Sequence, residues 1–222
     1  MLKLIYFLLF QTINSIQLTS KQIKYKEHIL DNDISCVVCS GPAGSGKTSI
    51  GTENAVELLC NNNFDQLVIT KPLLTVESEE IGFLPGGINE KISPFSSSIT
   101  QYIQKHDCCK EKINFIPLGF MRGLSFKNTI IIADEMQNST PMQMKMLLTR
   151  LGENSKIIIT GDLNQSDYED NVNGLIDLRR KLYLTYSAYY WKMFANGIAI
   201  VEFDKDDVKR SNFVKKILEI YE

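Results

Sequence analysis

Short apolar runs separated by segments of mixed polarity organise the 222-residue chain. "SCVVCS", "QLVITK", "NTIIIADE", "SKIIITGD" and "IAIVEF" are continuous apolar runs, rich in β-branched residues and with little polar alternation. Strands buried on both faces read this way, whereas strands with one wet face alternate. Between them apolar residues recur at helical spacing. "LTSKQIKYKEHIL" sets Ile23, Tyr25, Ile29 and Leu30 among lysines, "SIGTENAVELLCN" follows a glycine-rich turn, and "GLIDLRRKLYLTYSAYYWKMF" is helical in part. "NSTPMQMKMLLTRLG" opens with an N-cap residue, Thr140, and Pro141 at the first helical position, which predicts a helix ending at Gly152. "KINFIPL" is a further extended piece, "FLPGG" a turn at Pro85-Gly86, "NEKISPFSSSITQYIQKH" a helix interrupted at Pro94, and "SNFVKKILEIYE" a last helix.

Strands alternating with helices predict an α/β fold: a mainly parallel sheet covered by helices on both faces. The length suits one such domain, and no interior linker breaks it, so residues 16–222 are read as a single domain. Residues 1–15 stand apart. "MLKLIYFLLF" places Lys3 before an apolar run in the manner of a short signal peptide, and the run is too short to span a bilayer. The segment is either a targeting signal or an apolar N-terminal extension. The expected location is cytoplasmic, or secretory or organellar if the segment is a signal.

Composition narrows the chemistry. A net charge of -2 gives no global positive field, so any nucleic-acid contact must come from a local patch. Five cysteines without framework spacing argue against a disulfide scaffold. Cys36 and Cys39 form a CxxC, but inside an apolar run, where cysteine acts as a small hydrophobe rather than a metal or redox group.

The chemistry gathers where the apolar runs end. After the first comes Gly41-Pro42-Ala43-Gly44-Ser45-Gly46-Lys47-Thr48, followed by Ser49, a full match to the phosphate-binding pattern G-x-x-x-x-G-K-[ST] between a strand and a helix. The glycines let successive backbone N–H groups turn toward phosphate oxygens, and the helix offers its N-terminus to the anion. Lys47 is suited to the β- and γ-phosphates and the Thr48 hydroxyl to Mg²⁺. "TIIIADE" ends in Asp134 and Glu135. Carboxylates beside an apolar sheet need compensation, which Mg²⁺ supplies at Asp134, while Glu135 is placed to polarise a water for attack on the γ-phosphate. "IIITGDLNQ" ends in Gly161-Asp162 with Gln165 three residues on, a side chain able to bond both that water and the phosphate.

These strand ends, together with "TKPL", "IGFLPGGINEKISPF", "PLGFMRG", "DEMQNSTPMQMKMLLTRLG", "SKIIITGDLNQSD" and "DDVKRS", resemble the PhoH-family ATPases, relatives of the RecA-like core of superfamily-one helicases. The resemblance runs from about Leu18 to Glu222. It implies a single RecA-like P-loop NTPase domain that binds and hydrolyses ATP with Mg²⁺. It also implies that Gln22 grips adenine, that Arg122 lies at the nucleotide, and that Arg210 serves as an arginine finger on a neighbouring subunit's γ-phosphate. Lys71 stands where the family usually has arginine, keeping the charge but losing the planar fork, and Leu124 replaces a second arginine and keeps neither.

The resemblance further implies remodelling of RNA or single-stranded DNA by a homo-oligomeric ring, a hexamer in many members. Lys21, Lys24 and Lys26, and Arg179, Arg180 and Lys181 running into Tyr183, Tyr186, Tyr189, Tyr190, Trp191 and Phe194, are the basic patches in the sequence. Basic residues beside aromatics grip single strands, though aromatics at helical spacing also build cores and subunit interfaces. Two other functions fit a P-loop: a nucleotide-dependent switch with slow hydrolysis, and a small-molecule kinase. Glu135 beside Asp134, with Gln165, favours water over a bound hydroxyl as acceptor, and no arginine-rich lid is evident.

Overall fold

The computed structural model describes residues 17–72, 99, 107–165, 173–187 and 189–208. The N-terminal segment, the "FLPGG" turn, the helix around Pro94, Arg210 and the last helix lie outside the described residues.

Six strands form one sheet: β1 (Cys36–Ser40), β2 (Gln66–Thr70), β3 (Ile113–Phe115), β4 (Thr129–Ala133), β5 (Lys156–Gly161) and β6 (Ile198–Glu202). Their order is β3-β2-β4-β5-β1-β6, and every pairing is parallel. Helices α1 (Ser20–Leu30), α2 (Lys47–Cys60), α3 (Pro141–Leu148), α4 (Gly174–Tyr186) and α5 (Tyr190–Ala195) connect or flank the strands.

The continuous apolar runs are explained by a core on each side of the sheet. Val37, Cys39, Leu67, Ile69, Ile130, Ile132, Ile158, Ala199 and Val201 pack with α1 and α2. Their strand neighbours Val38, Val68, Ile131, Ala133, Ile157, Ile159 and Ile200 pack with α3, α4 and α5. A period of two along each strand thus feeds two cores, and neither face is left for polar residues.

Local signals act as their chemistry suggests. Thr19 caps α1 and Thr140 caps α3, each in a capping box closed by Gln22 and Gln143 respectively. Helix α3 stops at Leu148, however, four residues short of the expected Gly152. The chain leaves the helix to pair with the segment before β4: Leu151 bridges Phe126, and Gly152 N–H donates to Phe126 O at 2.6 Å. Arg150 fixes the turn by donating to the carbonyls of Met146 and Leu124, both at 3.2 Å. The segment expected to be helical in part divides into α4 and α5. Cys36 and Cys39 lie in β1, where burial pushes both thiols up, Cys36 to about 12. They are hydrophobic core residues, as their setting predicts.

Candidate nucleotide site

Strand order decides what can meet at the carboxyl edge of the sheet. β5 lies between β1 and β4, so the loops leaving these three strands are neighbours. Ligands in open parallel sheets bind at such an edge. The loops carry Gly41 to Thr48, Asp134 with Glu135, and Asp162.

Gly46 is the N-cap of α2 with φ 90°, a left-handed conformation that costs glycine little and aims the following N–H groups into the loop. The loop is built into its surroundings. Ser45 Oγ donates to Pro42 O at 2.7 Å, and Tyr25, buried under α2, donates its hydroxyl to Lys47 O at 3.4 Å. The Lys47 ammonium donates to Gly41 O at 2.7 Å and Pro42 O at 2.9 Å. Burial lowers its pKa from the ordinary lysine value, and the carboxylates of Asp162, Glu135 and Asp134 oppose that shift. Ser49 is half-buried in the first turn of α2.

Thr48 and Asp134 are in contact: Thr48 Oγ1 donates to Asp134 Oδ1 at 2.9 Å. Thr160, from β5, donates its hydroxyl to the same oxygen. The Asp134 N–H donates to Thr70 O at 2.9 Å, so residues of β2, β5 and α2 all fix this aspartate. Among the described residues no cluster of three or more His, Cys, Asp or Glu could hold a metal unaided. The donor set is instead one carboxylate and one hydroxyl, which suits Mg²⁺, an ion that keeps waters and takes its remaining ligands from bound phosphates.

Glu135 is exposed and has φ 55°, left-handed for a non-glycine residue. Such strain gathers at functional positions and persists only where neighbours enforce it. The Glu135 carboxylate is held by Gln137, 2% exposed. Its Nε2 donates to Glu135 Oε2 at 2.6 Å, and its Oε1 accepts from Asp162 N at 3.1 Å. Asp162 in turn accepts the Ala43 N–H at 3.1 Å, returning the chain of bonds to the P-loop. Gly161 makes this packing feasible, since a Cβ there would lie 2.6 Å from Gln137 Oε1. Neither Gln137 nor Asp162 is among the site residues expected from sequence. The sequence signal is the Gly-Asp pair ending β5, where only a small residue lets the glutamine approach.

The PhoH-like protein family model matches residues 15–222. The chain belongs to the PhoH-like family. PhoH-like proteins of Synechocystis sp. and Bacillus subtilis are 34% and 35% identical to it, each across 92% of this chain and 61% and 63% of their own lengths. Protein PhoH of Escherichia coli K12 is 35% identical across 83% of this chain and 52% of its own. This PhoH-like chain therefore spans about half to three-fifths of the length of the curated relatives it matches. Among solved structures, the large terminase of a thermophilic bacteriophage shares the fold, with TM-score 0.55, 12% identity, and coverage of 91% of this chain and 50% of that one. The same terminase in complex with ATP-gamma-S gives TM-score 0.52 at 13% identity, across 91% and 49%. The PhoH-like chain thus has the RecA-like P-loop NTPase fold expected of it.

The other expected residues of this PhoH-like chain differ in how they are tied to the P-loop. Gln22 is buried, with Nε2 donating to Ser45 O at 2.9 Å and Asp207 O at 3.1 Å, and Oε1 accepting from Thr19 N at 3.0 Å. It braces the P-loop against the turn after β6, with every polar atom of its amide engaged. Gln165 is exposed, and its backbone N–H donates to Asp162 O at 3.3 Å. Arg122 is exposed at the end of the 3-10 turn Leu118–Met121, and no hydrogen bond ties it to the P-loop among the described residues. Lys71 is half-buried near Asp134 and Glu135; burial lowers its ammonium and those carboxylates oppose the shift. Leu124 is 40% exposed; its N–H donates to Met121 O at 3.1 Å and its carbonyl accepts from Arg150 at 3.2 Å.

Proposed function

We propose that this PhoH-like chain binds ATP at Gly41–Thr48 and hydrolyses it with Mg²⁺, coupling turnover to the remodelling of RNA or single-stranded DNA within a homo-oligomer. The observation that carries the reading is the convergence of Lys47, Thr48, Asp134 and Glu135 on one sheet edge, with Thr48 Oγ1 and Asp134 Oδ1 2.9 Å apart.

The roles follow from position. Backbone N–H groups of the loop and the N-terminus of α2 receive the phosphates. Lys47 turns from its loop carbonyls toward the β- and γ-oxygens, so its donors exchange one set of acceptors for a more strongly charged one. Asp162 releases the Ala43 N–H to the same anion. Thr48 and Asp134 hold Mg²⁺, which when bound neutralises charge on the phosphates. Glu135 accepts the proton of the attacking water, and Gln137 keeps that carboxylate in place. Arg210, contributed by a neighbouring subunit, stabilises charge growing on the transferring phosphoryl group, and Gln165 reports on the γ-phosphate.

ATP binding and turnover of the purified chain, with and without single-stranded RNA or DNA, test this reading. Lys47→Ala should lose ATP binding, chelation of divalent cations should abolish turnover, and nucleic acid should raise the wild-type rate. Turnover that survives Lys47→Ala would place the activity elsewhere. Absence of stimulation by any nucleic acid would favour the slow nucleotide switch.

A further inference from the structure

We propose that the exposed face of α4 and α5 is a docking surface for single-stranded nucleic acid, with Tyr189 and Trp191 stacking on bases and Arg180 and Lys192 contacting phosphates. This rests on the nucleic-acid coupling proposed above and gives it a location.

Two observations carry it. The first is an aromatic platform that folding does not use. Helix α5 is fixed to the body by Met193, 1% exposed, and by Phe194, whose ring packs edge-on against Tyr190 at 5.4 Å and tilted against His28 at 5.3 Å. On its outer side Trp191 is 64% and Tyr189 53% exposed. Their rings meet at 79° with centroids 6.4 Å apart, and Lys192 Nζ lies 4.2 Å from the Tyr189 centroid and 5.7 Å from that of Trp191. Exposed rings with a cation beside them combine what single-strand sites use, aromatic faces for bases and positive charge for phosphates; a base stacking here displaces Lys192 from the ring it covers toward the phosphate.

The second is charge. Between Asp177 and Glu202 the sequence holds Arg179, Arg180, Lys181 and Lys192 and no acidic residue, in a chain whose net charge is -2. The two flanking acids are engaged: Asp177 with Lys181 at 2.6 Å, and Glu202 with Arg179. Arg180 and Lys192 are both exposed, and neither has an acidic partner among the described residues. A local excess of positive charge on an acidic protein complements a polyanion. The Arg179–Glu202 pair and the Tyr183 hydroxyl, donating to Glu202 at 2.7 Å, tie α4 to the end of β6. There Glu202 pairs in register with Ser40, the residue before the P-loop.

The chain has one tryptophan, so Trp191 reports directly on stacking. The full chain is titrated with single-stranded RNA, single-stranded DNA and inorganic polyphosphate, following Trp191 fluorescence and the anisotropy of labelled oligonucleotides. Oligonucleotides should quench Trp191, and polyphosphate, which has no bases, should not. Tyr189→Ala and Trp191→Ala should weaken oligonucleotide binding about fivefold or more. Arg180→Ala and Lys192→Ala should each flatten the salt dependence by about one unit of slope. Basal ATP turnover should be unchanged in all four. If the wild type binds oligonucleotides and the variants bind equally well, the docking surface is overturned while nucleic-acid coupling stands. If the wild type binds no oligonucleotide, both fall. Equal quenching by polyphosphate overturns stacking. A drop in assembly mass by light scattering in the Tyr189 and Trp191 variants, with oligonucleotide affinity intact, assigns the face to a second copy instead.

Discussion

Glu135 shows how much a single residue's environment adds to its identity. The sequence marks it as a carboxylate at a strand end, but not its left-handed backbone or the buried glutamine that holds it. Gln137 bonds Glu135 with one amide atom and the backbone of Asp162 with the other, and Asp162 bonds the P-loop at Ala43. In the proposed reaction, phosphate arriving at the loop competes for the Ala43–Asp162 hydrogen bond, two links from the carboxylate proposed to activate water. Replacing Gln137 by leucine keeps the bulk and removes both bonds. We expect kcat to fall about tenfold or more with ATP affinity little changed, because a misplaced base affects proton transfer and not phosphate binding. A proportional loss of affinity and kcat, or no loss at all, would show that Gln137 does not position Glu135. The P-loop and Asp134 were legible because a contiguous pattern encodes them. Gln137 was not, because its role depends on Gly161, a glycine at the end of another strand.

Among the elements, α1 carries a feature that hydrophobic periodicity cannot reveal. Lys156, at the start of β5 and 4% exposed, donates to Ile29 O at 2.7 Å and Asp31 O at 2.6 Å. It thus caps the C-terminal end of α1, whose last carbonyls lack partners within the helix. Burial pushes its pKa down to about 8. A neutral amine still has two hydrogens for the two carbonyls, so both bonds can survive loss of the charge. The unfolded chain keeps this proton to about pH 10.4, so between about pH 8 and 10 it binds more protons than the folded chain. Stability contributed by this group must therefore rise with pH across that window, and below about pH 8 the burial penalty is fully present. Denaturant melts of wild type and Lys156→Met should show the wild type gaining relative to the variant from about pH 8 to 10. A flat or falling difference would contradict the assignment. The early end of α3 has a similar origin: its helical pattern continues past Leu148, but pairing of Leu151 with Phe126 outweighs local propensity.

At the scale of the molecule, the alternation of buried strands and helices was enough to read the parallel sheet and its two covered faces. It did not give the strand order, which depends on contacts distant in sequence and which brings Asp134 and Asp162 to the P-loop. The proposed phosphoryl transfer also calls for a cation at the γ-phosphate. If Arg210 acts across a subunit boundary, mixing Lys47→Ala with Arg210→Ala subunits should restore part of the ATPase activity, because some boundaries then carry an intact loop and an intact arginine. No recovery in an assembly shown to exchange subunits would remove Arg210 from that role. The central claim, that this edge of the sheet hydrolyses ATP through Glu135, is tested most directly by measuring ATP affinity and single-turnover hydrolysis in Glu135→Gln. The account predicts wild-type-like affinity with hydrolysis slowed about a hundredfold or more. Hydrolysis at the wild-type rate would contradict it.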